Sequence, residues 1–300
     1  MLSVVIVAWN EEKNLARVVA SVKDFASEVV VVVDRGSIDK TAEVAKKLGC
    51  KVFYHEHTGI VEPMRSFAIS KAKHEWILLL DADEEVSADL ADKIKKIITD
   101  NKCDFVQIPR KNLIFGKWIK SDHWWPDYVY RLFKKDALTW DNAIHSLPFT
   151  RGTGLDISPV EQYSLIHHHY TSIFEYVEQI NRYTEYQKNS VLEKGYRFVI
   201  SDLIVKPIDE FIRQFFARHG YRDGIHGLAL SLLQAFSELV LYLKLWQDGG
   251  FLPEKIAPKS IDKTINDKMI EYRWWQYQAK IDEANIFGKL WYKLARKLGI

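Results

Sequence analysis

Apolar positions in the first hundred residues recur in two alternating rhythms. Continuous β-branched runs at Val4-Val5-Ile6-Val7 and Val29 to Val33 predict strands buried on both faces of a parallel sheet. Between them Leu15, Val18, Val19 and Val22 return at helical spacing, with Asn10 placed to cap the helix and Glu11 and Glu12 suited to the positive end of its dipole. A second helix follows Ser37 and turns Val44, Ala45 and Leu48 inward before Gly49 stops it. A short strand at Lys51 to Tyr54 precedes a third helix, opened by Pro63 and running through Ala72. Trp76-Ile77-Leu78-Leu79-Leu80 reads as a fully buried strand, and Ser87 as the cap of a helix with Leu90, Ile94, Ile97 and Ile98 on its core side. Phe105 to Ile108 is the next strand. This alternation predicts an α/β fold with a doubly wound, mostly parallel sheet.

The rhythm changes near residue 110. Short aromatic-rich pieces containing Trp118, Trp124, Trp125 and Trp140 predict mixed strands and loops up to about 170. From Ser172 the chain reads helical, with a boundary at Pro207 and a turn at Gly249-Gly250 before a last Trp-rich stretch. The expected organisation is an α/β domain over 1–170 and a helical region over 171–300.

Charge removes one class of partner. The 300 residues carry 42 Lys+Arg against 40 Asp+Glu, a net charge of +2 that is too small for a protein built to neutralise nucleic-acid phosphates. No nucleic-acid partner is expected. Cys50 and Cys103 are the only cysteines, too few and too far apart for a disulfide framework or a zinc site, which suits a reducing compartment. Met1-Leu2-Ser3 leads straight into the first strand pattern without a basic region or cleavage site, so a cytoplasmic location is expected.

In open α/β sheets, ligands bind beyond the carboxyl ends of the strands. Asp81-Ala82-Asp83 stands there, and its two carboxylates could face one hard divalent cation, Mn or Mg, with substrate phosphates completing the coordination. The same tripeptide equally serves as a solvated turn before a helix. His167-His168-His169 poses a similar choice, because His167 and His169 share a face if the segment is extended and could meet a metal or simply form a polar strand end.

Two further segments share this edge. Ala8-Trp9-Asn10-Glu11-Glu12 closes the first strand and Asp34-Arg35-Gly36-Ser37-Ile38-Asp39-Lys40-Thr41 the second. With Leu79-Leu80-Asp81-Ala82-Asp83-Glu84, their order and spacing resemble the N-terminal half of glycosyltransferase family 2, inverting enzymes of the GT-A fold. The resemblance is specific over about residues 1–110 and traceable to about 245. Pro126-Asp127, Arg131-Leu132-Phe133, His145, His169-Tyr170-Thr171-Ser172 and the stretch from Gly220 to Gly227 are similar to the branch containing lipopolysaccharide core β-1,4-glucosyltransferases.

The resemblance implies roles. Ala8, Trp9 and Glu11 would border the nucleotide, Asp34 would contact its base or ribose, and Arg65 would balance charge at the diphosphate. Asp81 would face the ribose or the metal, Asp83 would bind Mn or Mg, and His169 would reach the metal or the diphosphate. The branch carries His-Glu where this chain has His145-Ser146, and that Glu is its expected general base. Asp127, Asp141 and His145 remain as candidates, with Asp127 preferred because a carboxylate is the common solution in glycosyl chemistry. Arg35 stands where the family has Asp or Ser and reads as a solvated loop residue.

The activity implied is metal-dependent, inverting transfer of a sugar from a nucleotide diphosphate sugar to a lipid-linked or glycan acceptor, in cell-envelope glycan synthesis. The acceptor side would begin near residue 110. Transfer to a polyprenyl phosphate and an inactive nucleotide-binding relative are the alternatives. A nucleotidyltransferase or a dinucleotide-dependent oxidoreductase would need a Gly-rich loop after the first strand, where Trp9-Asn10-Glu11-Glu12 stands instead.

A peripheral position on the inner membrane face is also expected. Residues 205–300 hold 15 basic and 11 acidic groups, and Phe211, Ile212, Phe215 and Phe216 beside Arg213, Arg218 and Arg222 read as a basic amphipathic helix. The charge-free run from Ile225 to Ser237 is too short to span a bilayer and Glu238 interrupts it, so no transmembrane helix is predicted. Trp274, Trp275 and Trp291, with Lys289, Lys293, Arg296 and Lys297, would suit a headgroup belt, but packing within the fold is the preferred reading of the tryptophans.

Overall fold

The computed structural model describes residues 1–58, 62–140 and 148–298. Its first hundred residues run β1 (Leu2–Ala8), α1 (Leu15–Val22), β2 (Glu28–Asp34), α2 (Thr41–Lys47), β3 (Lys51–His55), α3 (Glu62–Ser70), β4 (Trp76–Asp81), β5 (Glu84–Glu85) and α4 (Ala88–Asp100). β1 lies between β2 and β4 and is parallel to both, and β3 extends the parallel set beyond β2. Ala8 pairs with Val33 and Val7 with Asp81, so β1, β2 and β4 end level at one edge.

The sheet then becomes mixed. β6 (Phe105–Ile114), β7 (Lys117–Trp118), β8 (Asp127–Lys134), β9 (Leu138–Thr139), β10 (Phe149–Thr150), β11 (Gly154–Asp156) and β12 (Leu165–Tyr170) follow in the chain. The strand order continues from β4 through β8, β6 and β12 to β5, with β8 antiparallel to β4 and β6, and β12 antiparallel to β5. β11 runs parallel beside β6.

Alternation along β1 explains the continuous apolar run. Val4, Ile6 and Ala8 face a core that includes Leu15, Val18 and Val22 of α1 and Leu90, Ile94 and Ile97 of α4. Val5 and Val7 face a second core with Met64, Ala68 and Ile69 of α3 and with Phe133 and Trp140. A strand with apolar neighbours on both faces carries few polar positions, and the one in β1, buried Ser3, donates to Glu28 Oε1 at 2.6 Å. The α/β expectation holds, and local details differ. Asn10 does not cap α1: it adopts φ 57°, and its Oδ1 accepts the Ile38 N–H at 2.8 Å, tying the loop after β1 to the loop after β2. Asn14 is the N-cap residue instead. Leu48 falls just beyond α2 and is exposed. Ser87 caps α4 as expected, accepting the Leu90 N–H at 3.2 Å.

By internal packing the chain divides into two units. The first comprises Met1–Leu113 and Trp125–His169, the second Ile114–Trp124 and Tyr170–Ile300. Ile114–Trp124, placed by the sequence in the first domain, therefore belongs with the helices. These are α5 (Ile173–Glu193), α6 (Asp202–Ile212), α7 (Ile225–Asp248), α8 (Pro258–Glu283) and α9 (Ile286–Leu298). Ser172 and Glu175 form a reciprocal capping box at the start of α5. Pro207 is not a boundary but lies inside α6. An interior proline costs about 3 kcal/mol. The burial of Ile212 and of Glu210, whose carboxylate binds Gln214, accompanies a helix that continues through it.

α7 ends at Asp248, at the Gly249-Gly250 turn expected there, and by length and composition, Glu238 included, it is long and apolar enough to cross a membrane, with 33% of its most apolar window buried; the interruption at Glu238 does not cut the apolar stretch short. Phe211, Phe215 and Phe216 also depart from expectation. They pack on one another at 5.1–6.4 Å between ring centroids, Phe216 packs on Tyr272 and Phe215 on Tyr221, so they form an aromatic cluster rather than an outward stripe.

The stretch from Gly220 to Gly227 works as a clasp within this second unit. The Asp223 carboxylate accepts the Lys120 N–H at 3.0 Å and the Ser121 N–H at 2.8 Å, while Lys117 Nζ donates to the Asp223 carbonyl at 2.5 Å. A Cβ on Gly227 would lie 1.8 Å from the Gly220 carbonyl oxygen, backbone that has no flexible end to move aside. Gly227→Ala is therefore expected to destabilise the protein by about 3 kcal/mol, seen as a lower urea midpoint. An unchanged midpoint would show that α7 can shift freely away from the clasp.

Candidate functional site

The level ends of β1, β2 and β4 bring their loops together in the first unit. β4 delivers Asp81, the turn delivers Asp83, and β5 adds Glu84. Asp81 accepts Arg65 Nη2 at 3.0 Å on both oxygens and also binds Arg131. Arg131 Nη2 reaches the fully buried Glu84 at 2.7 Å, and Glu84 faces Arg110 at 3.4 Å. Arg110 binds Asp127 Oδ2 at 2.7 Å, the same oxygen that accepts Asn112 Nδ2 at 3.0 Å. Asn112 Oδ1 meets His167 Nδ1 at 2.6 Å, and His167 Nε2 stands 3.2 Å from Asp83 Oδ2.

Strand register builds this network. Arg110 of β6 pairs with Asp127 of β8, and Asn112 lies two residues on, hence on the same face of β6. His167 of β12 pairs with Glu84 of β5, which carries the imidazole to the turn holding Asp83. Because Asn112 uses its amide to donate to Asp127, its oxygen accepts the Nδ1 proton of His167. Nε2 is left facing the Asp83 carboxylate. His169 stacks on His167 with ring centroids 4.4 Å apart.

Burial opposes a charge at Asp81, but Arg131, Arg65 and Arg110 overcome it and hold the carboxyl well below the usual carboxylate range. Burial likewise opposes the charge on Arg131, and Asp81 and Glu84 reverse that effect. Asp81 is thus committed to two guanidinium groups. Among the described residues no group of three or more His, Cys, Asp or Glu is arranged to hold a metal ion. Asp83 with His167 is a two-donor set of carboxylate and imidazole, which suits a hard cation that takes its other ligands from substrate phosphates and water.

The second cluster gathers around β2. Asp34 Oδ1 accepts the Gly36 N–H at 2.7 Å, and both Asp34 oxygens lie 3.0–3.1 Å from His57 Nδ1. The Trp9 ring approaches His57 at 5.5 Å. A cleft of about 190 Å³ beside them is lined by Asp34, Arg35, Ser37, Asp39 and Tyr54. Arg35 pairs with Glu56 at 2.8 Å and is exposed, as a solvated loop residue would be. Ala8 is buried at the end of β1.

Glu11 lies between the two clusters. Burial, and the charges of Asp83, Asp81 and Asp39, push its carboxyl up to about 7 despite the hydrogen bond from Asn14. A folded value above the unfolded 4.5 means the native state holds the extra proton between these pH values, so Glu11 costs stability as pH rises through that window. Glu11→Gln, which can still accept from Asn14, should stabilise the protein by about 3 kcal/mol at pH 8 and by nothing near pH 4. Thermal melts at the two pH values test this, and equal shifts at both would refute it.

Asp141 and His145 lie outside the described residues, as does Ser146. The remaining sequence candidates, Ala8, Trp9, Glu11, Asp34, Arg65, Asp81, Asp83, Asp127 and His169, all fall in the first unit. Sequence reasoning missed Glu84, Arg110, Asn112 and Arg131 as partners and left His167 unassigned. The period-two placing of Arg110 and Asn112 in a strand was the available signal.

Residues 3–153 match the profile of Glycosyl transferase family 2. An uncharacterized glycosyltransferase of Rickettsia typhi is 30% identical over 281 residues, covering 90% of this chain and 92% of that one. The chain belongs to glycosyl transferase family 2. A Rickettsia prowazekii glycosyltransferase aligns with this family 2 transferase at 30% identity over 280 residues. Among solved structures, Staphylococcus aureus TarS is 22% identical, covering 45% of the transferase and 28% of its own chain, with a TM-score of 0.36. Glucosyl-3-phosphoglycerate synthase from Mycobacterium tuberculosis, solved with Mn2+ and UDP, is 17% identical over 37% of the transferase and 44% of its own chain, with a TM-score of 0.32.

Proposed function

We propose that this transferase moves a sugar, with inversion, from a nucleotide diphosphate sugar to a lipid-linked or glycan acceptor at the cytoplasmic face of a membrane. The observation that carries the reading is the placing of Asp34, Asp81, Asp83 and Asp127 at one edge of a family 2 sheet. The base and ribose lie over the loops after β1 and β2, bordered by Ala8, Trp9 and Glu11 and bonded by Asp34. Arg65 and Arg131 hold Asp81 ionised, and Arg65 would balance charge at the diphosphate. Asp83 would hold Mn or Mg, with His167 and His169 adjacent. When bound, the cation neutralises charge on the departing diphosphate.

Asp127 takes the acceptor proton. Arg110 and Asn112 both bind its Oδ2, which fixes the rotation of the carboxylate. The acceptor oxygen attacks the anomeric carbon from the face opposite the diphosphate, its proton passing to Asp127 as the bond to the diphosphate breaks. The likeness of Pro126-Asp127 and Arg131-Leu132-Phe133 to the lipopolysaccharide core branch favours an envelope glycan as acceptor.

Calorimetric titration with UDP, GDP, dTDP and CMP, each with and without Mn, tests the donor half, and hydrolysis of the matching sugar nucleotide follows. One diphosphate is expected to bind only with the metal present. Binding without turnover on any acceptor would leave an inactive relative, and no binding at all would remove the reading. Asp127→Asn should retain donor binding and lose transfer.

A further inference from the structure

We infer that α9 is an in-plane anchor for an anionic lipid surface. This deepens the membrane-face reading above and rests on it only for the placing of the acceptor.

Ile286, Phe287, Leu290, Trp291, Leu294 and Leu298 of α9 are 49–83% exposed. At 100° per residue their positions fall within one face of the helix, so they form a continuous apolar stripe rather than scattered exposures. The stripe cannot be covered by α8, because α9 packs on α8 through its other side. Ala295 is buried there, the Tyr292 ring meets Tyr277 at 6.5 Å, and Arg296 donates to Gln278 at 2.6 Å while lying 4.7 Å over Trp274. These contacts fix the rotation of α9 and turn the stripe away from α8.

Charge selects the occupant. From Ile286 to Leu298 there is no Asp or Glu, and Lys289, Lys293 and Lys297, at i, i+4 and i+8, run along one border of the stripe, Arg296 being taken up by α8. An apolar face edged by cations complements acyl chains beneath phosphate headgroups. A second copy docking through the same face would set its cations against these. Thirteen residues at 1.5 Å per residue span about 20 Å, short of the roughly 30 Å of a hydrocarbon core, so the helix lies along the interface. Trp291 sits within the stripe, as an interfacial aromatic would. The Phe211 cluster, which the sequence pointed to for this task, packs upon itself and offers no comparable face.

Flotation of the full chain with vesicles tests the inference, using phosphatidylcholine with or without about 30% phosphatidylglycerol. The wild type is expected to float with the anionic vesicles, and about 0.5 M salt should weaken that binding. Replacing Phe287, Leu290 and Trp291 together by Ser should reduce binding at least about tenfold. Lys289→Glu with Lys293→Glu should remove the preference for anionic lipid. Nucleotide binding measured on the same proteins should be unchanged, which reports folding and separates failure of the anchor from failure of the transferase reading. Equal flotation of the Ser variant would overturn the proposal, as would flotation indifferent to phosphatidylglycerol. A wild type that stays in solution as a dimer, broken by the Ser substitutions, would assign the stripe to a second copy instead.

Discussion

Asp83→Ala is expected to lower turnover of the sugar donor by about a thousandfold and to remove the metal dependence of nucleotide binding. The side chain is partly exposed and faces His167 at 3.2 Å, so little of the fold depends on it. The urea midpoint should stay near that of the wild type. Asp83 and His167 present a carboxylate oxygen and an imidazole nitrogen to the same small space. Removing the carboxylate leaves the imidazole alone, a weak ligand for Mn or Mg. Calorimetry with the diphosphate and Mn checks the binding half and donor hydrolysis the catalytic half. Unchanged affinity in the presence of Mn would take Asp83 out of the site.

Arg131→Met should act on stability. Arg131 is 3% exposed and bridges Asp81 to the fully buried Glu84, so its loss leaves two carboxylates facing each other without their shared cation. Breaking a buried pair from one side costs about 3–5 kcal/mol. The pH dependence has a definite sign. The carboxyl of Asp81 is held below its unfolded value, so its contribution is present above that value and is lost as pH falls through the folded one. Without Arg131 the Asp81 carboxylate loses its largest stabilising charge, so the part of the gap that comes from it should be constant from pH 7 to about pH 4 and shrink below that. Urea denaturation at pH 7 and at about pH 3 measures both. A gap that is constant with pH would mean the loss comes from packing rather than charge.

The parallel core was legible because burial on both faces leaves few polar positions, and runs such as Val29 to Val33 admit few other readings. Pro207 was misread as a boundary because its signal is local, whereas α6 is carried through it by packing on α7 and α8. In the site, Asp81 and Asp83 stood out through their place after a strand. Arg131 and Arg110 did not, since an arginine in a strand declares its partner only when register sets a carboxylate opposite it, as Asp127 is set opposite Arg110. His167 was visible as part of a triplet, but which of three adjacent imidazoles faces Asp83 depends on the pairing of β12 with β5. The amphipathic face of α9 was present in the sequence too. Its exposure depends on which side meets α8, and no single-helix pattern contains that.

The level ending of β1, β2 and β4 makes the molecule unequal in its tolerance of inserted residues. Val7 sits opposite Asp81 and Ala8 opposite Val33, and side chains alternate faces along each strand. One residue added within β4 would turn Asp81 away from Arg65 and Arg131 and would move every carboxylate at that edge out of step with the others. The connector between Ser70 and Trp76, at the opposite edge, is held by backbone donors instead: Lys73 N–H donates to Glu28 Oε1 at 2.6 Å and His74 N–H to Ser3 Oγ at 3.0 Å. A residue added there would break local hydrogen bonds while leaving β4 in step with β1, so the acidic edge would keep its alignment at a cost in stability alone.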